Sequence, residues 1–345
     1  MMRFAFTTFC LLMAFAPAHG FLWFDKDPID TSPARQTELA RPLYEEALSA
    51  QRAGNRGKAV RLYRKISKNY PAADFAAQAL YNTGIIQYER KKWKKAFVAF
   101  QSILIFHPDF PQFNELVDYQ FRIALAHSKG DNIRFLFVIP YRALNRSVDY
   151  FEIVVNNAPY SNLAPLALMN VALIHQYKGQ TAEAIDALDR LINNYPTSLL
   201  ADDAYLSLAE TFATLVQGSQ YDQGATREAI SYFEDFLILF SQNEDIARAE
   251  KGLEEMEDVY ARSKLVIGQY YFKYRRWYQA AEIFFNEAIT IAPESPAAGT
   301  AREYIARIAE IREMFRDRME ENENTPSRQK EKSFISRLLD KVIPG

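Results

Sequence analysis

One cysteine in 345 residues leaves little room for thiol chemistry. That residue, Cys10, sits inside the apolar run Phe4 to Ala16. A chain that loses this run has no disulfide framework, no thiolate metal ligand and no thiol nucleophile, and burial alone must hold it together. Histidine is nearly as scarce, with four in the chain. His127 and His175 fall where the repeat described below places an aromatic side chain, and His107 precedes a terminating proline, so all three are read as packing residues. The adjacent acidic pairs Asp202-Asp203 and Glu254-Glu255 point in different directions on a helix and cannot form a two-carboxylate site alone. No phosphate-binding glycine loop and no metal-ligand spacing occurs. The net charge of −2 gives no basic excess of the kind used on nucleic acids. The chemistry points to a non-enzymatic protein that takes no cofactor and binds no nucleic acid.

What is present begins with Met1-Met2-Arg3, the apolar run and then Pro17-Ala18-His19-Gly20. A single positive charge, a core too short to span a bilayer and an Ala-x-Gly end predict a secretory signal, residues 1–20, cleaved after Gly20. The alternative is a retained N-terminal anchor. Thr7-Thr8-Phe9-Cys10 lacks the small residue expected before a lipidated cysteine. The mature chain is therefore predicted to start at Phe21 without lipid.

The dominant pattern is a repeat. A small residue is followed four later by a large apolar one, three later by another, and five beyond that by proline. Ala59, Tyr63, Ile66 and Pro71 form one copy; Ala96, Phe100, Ile103 and Pro108 a second; Ala184, Leu188, Leu191 and Pro196 another; Ala281, Phe285, Ala288 and Pro293 the last. Ser147, Phe151, Val154 and Pro159 fit with serine as the small residue, and Ala229, Phe233, Phe236 and Ser241 with serine for proline, which makes six copies. This is the second helix of the tetratricopeptide repeat, a unit of about 34 residues. The small residue lets two helices cross closely, and the large one fills the gap between repeats. One helix pair cannot bury both its faces, so the predicted fold is all-α: a tetratricopeptide superhelix, an α-solenoid of about six helix pairs with a C-terminal capping helix.

In chain order, residues 21–39 are predicted to form an extended leader, because their prolines and aspartates oppose helix. Its Phe21 to Phe24 either pack on the first repeat or touch a membrane interface. Residues 40–198 hold repeats one to four and 199–321 hold repeats five and six with the cap. Repeat three carries an apolar insertion at 130–141, repeat five a polar loop at 217–224, and a linking helix at about 246–260 leads into repeat six. Residues 322–345 read as a charged linker and a short amphipathic tail. Phe334, Ile335, Leu338 and Leu339 line the stripe of that tail, which either docks on a partner or folds back on the capping helix.

Gly268-Gln-Tyr-Tyr-Phe-Lys-Tyr-Arg-Arg-Trp-Tyr-Gln-Ala-Ala281, with Tyr44-Glu-Glu-Ala47 and Gly54-Asn-Arg-Gly-Lys-Ala59, resembles the BamD (YfiO) family of outer-membrane assembly factors. The Tyr-Tyr-x-Lys-x-x-x-Trp/Tyr-x-Ala-Ala run is its most specific part. The resemblance implies a periplasmic scaffold on the periplasmic face of the outer membrane, peripherally attached. Its implied partners are a BamA-type barrel and unfolded outer-membrane protein precursors, received through aromatic-ended C-terminal strands. A periplasmic repeat adaptor of another cell-envelope or secretion complex is the alternative. First-helix positions that line a repeat's inner face give a candidate peptide groove of Arg41, Tyr44, Arg52, Tyr81, Tyr88 and Glu89. There tyrosines would stack on rings and an arginine would pair a terminal carboxylate; the other reading is that the tyrosines only pack between helices.

Overall fold

The computed structural model describes residues 32–129, 141–216 and 223–324. The predicted signal, Cys10, Phe21 to Phe24, insertion residues 130–140, loop residues 217–222 and the tail with Phe334, Ile335, Leu338 and Leu339 lie outside the described residues. The described residues form helices and turns, without a strand. The chain divides into two compact units, residues 1–103 and 104–345. The expected division between residues 198 and 199 falls within the second, in the turn between two helices.

The first unit holds α1 (Pro33–Arg52), α2 (Arg56–Asn69), α3 (Ala76–Glu89) and α4 (Trp93–Phe106) as far as Ile103. Its start corrects the extended leader, because residues 33–39 are helical. Ser32 caps α1 by accepting from the Arg35 amide at 3.3 Å, and Pro33 occupies the first helical position, where its missing N–H costs nothing. Asn55 caps α2 in the same way, its Oδ1 accepting from the Lys58 amide at 3.1 Å. Ala47, Ala59, Tyr63, Ile66 and Ala79 form the fully buried core of this unit.

The second unit holds α5 (Phe113–Ser128), α6 (Tyr141–Asn157), α7 (Leu163–Tyr177), α8 (Thr181–Asn194), α9 (Ala201–Leu215), α10 (Gln223–Leu239), α11 (Ile246–Tyr270), α12 (Tyr278–Ile291) and α13 (Pro296–Asn324). Each helix from α5 to α12 packs on the next, and α13 closes against α11 and α12. Polar bonds stitch successive repeats together. Arg190 grips Glu152 with two bonds of 2.8 Å, Arg248 grips Glu210 with two of 2.6 Å, and Gln176 donates to Thr211 at 2.7 Å.

The repeat pattern translates directly into burial. Ala59, Ala96, Ser147, Ala184, Ala229 and Ala281 are all 0% exposed, as expected of residues at close helix crossings. Ser147 keeps its hydroxyl satisfied by donating to the Ala124 carbonyl at 2.7 Å. In three places the large residue needs a notch in the facing helix. A Cβ on Gly84 would lie 2.3 Å from the Phe100 ring, one on Gly252 2.4 Å from Phe233, and one on Gly268 2.6 Å from Phe285.

Three further boundaries differ from the expectations. The linking helix and the first helix of repeat six are one continuous helix, α11, of 25 residues: no proline interrupts it, and Ser263, the capping-type residue near the junction, donates its hydroxyl back to the Tyr260 carbonyl at 2.7 Å. Gln223 and Gly224, expected in a loop, begin α10. Helix α13 runs to Asn324, past the expected start of the linker at 322, since its Arg, Glu and Met residues are strong helix formers.

Candidate functional site

The first helices of repeats one and two carry the six groove residues, and the structure divides them by use. Tyr44 is half-buried, stacked on Phe75 with centroids 4.7 Å apart and tilted on Tyr63 at 5.9 Å. Burial raises its phenol pKa above the ordinary value, and a hydrogen bond with Asn82 partly offsets this. Tyr63 donates to Gln51 Oε1 at 2.7 Å, and burial likewise raises its pKa, against Asn82 and the nearby charge of Arg52. Tyr44, Gln51, Tyr63 and Asn82 thus form a polar cluster between α1, α2 and α3, with the exposed guanidinium of Arg52 close enough to act on it. Asn82 also accepts from Gln78 at 3.1 Å. Sequence reading missed Asn82, whose position in the helix carries no pattern; only the packing shows it meeting two tyrosines.

The remaining groove residues sit elsewhere. Tyr81 leans on Phe100 at 6.5 Å, and Tyr88 meets Trp93 edge-on at 5.2 Å. Glu89 is held by Arg56 at 3.1 Å. Arg41 is exposed on the first half of α1, about one helical turn before Tyr44. Tyr44 and Arg52 both lie on α1 and both act on Tyr63, Tyr81 lies on α3 against Phe100, and Glu89 is committed to an ion pair.

A second feature lies at the turn of repeat six. Ala47 to Gly54, Gly84 to Lys91 and Ala172 to Gly179 are each seven residues apart, ending in a left-handed residue, whereas Gly268 to Arg276 is eight. The extra residue is absorbed by a π-helical turn, Tyr271–Arg275, closed by Arg276 at φ 50°. Single π turns of this kind often mark functional positions. Here Tyr271 stacks on Phe284 at 5.5 Å, Phe272 meets Tyr304 at 5.1 Å, and Tyr304 lies flat on Phe285 at 5.0 Å. The inner rings hold the turn, and Tyr274 and Trp277 are left 77% and 58% exposed beside Lys273, Arg275 and Arg276. Two large aromatic side chains three residues apart are thus exposed within one short basic turn.

His127 is buried edge-on against Tyr150 at 5.3 Å, and burial, with Arg146 adding, lowers its pKa from the ordinary value. The ring of His175 pairs with Gln180 at 3.1 Å. Among the described residues no group of three or more His, Cys, Asp or Glu could hold a metal ion, and no helix is long and apolar enough to cross a membrane.

Comparison with known proteins accords with the repeats and with the motif. Residues 44–111 match the tetratricopeptide repeat family. The outer membrane protein assembly factor BamD of Caulobacter vibrioides is 29% identical over 129 residues, covering 37% of this chain and 42% of that protein. BamD of Rickettsia prowazekii is 24% identical over 194 residues, covering 56% of this chain and 57% of that one. The chain thus spans about half the length of these curated relatives. A tetratricopeptide repeat protein of Bacteroides fragilis superposes on 79% of the chain at 13% identity and a TM-score of 0.36. The YfiO family, described as outer membrane lipoprotein, matches residues 142–318, just over half of the chain and inclusive of the π turn, and the chain belongs to this family.

Proposed function

We propose that this protein is a non-enzymatic scaffold for outer-membrane protein assembly, working at the periplasmic face of the outer membrane. In this reading it binds a BamA-type barrel and receives unfolded barrel precursors. The observation that carries it is the YfiO match across residues 142–318, which includes the exposed aromatic and basic turn of repeat six. The names of the two relatives support the same role.

The first unit is assigned the precursor peptide. An extended strand ending in an aromatic residue offers a ring and a carboxylate. The half-buried Tyr44, held in place by Phe75 and Asn82, supplies a rigid edge, Tyr81 a second, and the exposed Arg52 a cation for the acid. Arg52→Ala with Tyr81→Ala is expected to weaken binding of a barrel-protein C-terminal peptide at least about tenfold, or about 1.4 kcal/mol. Fluorescence anisotropy with a labelled peptide measures this. Unchanged affinity in a double variant that keeps its helical content would remove the peptide from this groove.

A further inference from the structure

The small net charge conceals a strong local one. Arg52 to Lys95 contains twelve lysines and arginines against two acids, Asp74 and Glu89, in a chain whose net charge is −2, so the rest of the chain is acidic. Neither α2 nor α4, the second helices of repeats one and two, has a single Asp or Glu. The density peaks in the turn Arg90-Lys-Lys-Trp-Lys-Lys95, whose five cations are all solvent-exposed. Arg56 and Lys58 are neutralised by Glu89 and Glu46. Among the described residues no ion pair is formed by Arg64, Arg90, Lys92, Lys94 or Lys95. These charges feel one another: Arg90 first, and also Lys95 and Arg64 across from α2, lower the pKa of the Lys92 ammonium.

Two further observations bear on what would cover such a surface. Lys91 takes the left-handed conformation, φ 54°, at the place where repeats one and four use Gly54 and Gly179. A cation therefore occupies a position whose backbone favours glycine. The solvent side of α4 is also apolar beyond Lys94 and Lys95: Val98 is 54% exposed, and Ile105, two turns further along the same helix, is 59% exposed. Cations followed by exposed aliphatic side chains, with no acid among them, match a phospholipid surface, which offers anionic headgroups beside hydrocarbon. An acidic protein surface would leave Val98 and Ile105 facing charge.

We propose that the basic face formed by α2, the Arg90–Lys95 turn and the start of α4 rests on an anionic phospholipid surface. The choice of lipid draws on the membrane-side location proposed above, but the contact does not depend on peptide or barrel binding. The test is co-sedimentation of the full chain with vesicles of phosphatidylcholine alone or mixed with phosphatidylglycerol. The wild type is expected to partition onto the mixed vesicles in preference, with the preference lost in high salt. Replacing Arg90, Lys92, Lys94 and Lys95 together by glutamine is expected to reduce that partition at least about tenfold, since each cation near an anionic surface contributes about fivefold. The residues are exposed, and helical circular dichroism verifies that the variant is folded. Equal partition of the wild type onto both vesicle types overturns the proposal, and so does unchanged partition in the folded variant. A variant that keeps its lipid preference but loses affinity for an acidic protein domain would reassign the face to a protein contact, which also overturns it. Peptide affinity measured on the same variant is expected to be unchanged, so failure here is separable from failure of the assembly role.

Discussion

Phe285→Ala is expected to destabilise the last repeat by about 3–5 kcal/mol, the range for removing a fully buried aromatic ring. Phe285 is 0% exposed, its ring lies against the notch at Gly268, and Tyr304 of α13 is stacked on it at 5.0 Å. Removing it leaves a cavity that α11, α12 and α13 must share, and Gly268 offers no side chain to fill it. Repeat stability is a sum of unit and nearest-neighbour terms, so the loss is expected to be local. Hydrogen exchange is the measurement: amides of α12 and α13 should lose protection while those of α7 and α8 keep theirs. A uniform loss across the second unit, or a change below about 1 kcal/mol, would show that the notch is not the keystone of this end.

The converse substitution has an expected effect of similar kind in the first unit. Gly84→Val places its Cβ about where the 2.3 Å approach to Phe100 leaves no space, and Phe100 is itself 0% exposed with Ala96 and Ile103 buried beside it. The ring cannot swing away, so overpacking is expected to cost at least about 1–3 kcal/mol. Phe100→Leu in the same chain should recover part of the loss, because repeat four already combines alanine at the corresponding place, Ala172, with Leu188. Urea unfolding of the two single variants and the pair gives the coupling. Additive losses would mean that Gly84 and Phe100 do not meet as described.

The fold was legible because its determinants are local and periodic. Six triplets such as Ala184, Leu188 and Leu191 announce both a helix and the face it buries, and even the irregular copy with Ser147 is buried completely. The helix count follows from that pattern. Boundaries were less legible. As letters Pro33 reads as a breaker, although beside the Ser32 cap it opens a helix, and nothing in the apolar spacing shows that α11 runs unbroken from Ile246 to Tyr270.

The candidate surfaces were legible in part. Tyr44 and Arg52 stand out by position, but what fixes Tyr44 is Phe75 and Asn82, residues brought to it by the fold. The motif of repeat six was visible as letters, yet the π turn follows from a one-residue difference in spacing that a search for matching residues passes over. The basic face was hidden by averaging. A net charge of −2 over the chain says nothing of the twelve cations between Arg52 and Lys95, which a charge count in a moving window would have found.

The central claim is tested most directly by what the intact protein carries with it. Cell envelopes solubilised in mild detergent, with this chain recovered through an affinity tag, allow the proteins retained in stoichiometric amount to be identified by mass spectrometry. The assembly role predicts a BamA-type barrel protein among them, together with unfolded precursors that are lost when Arg52 and Tyr81 are replaced by alanine. Recovery of the components of another envelope or secretion complex, without a barrel of that type, would contradict it.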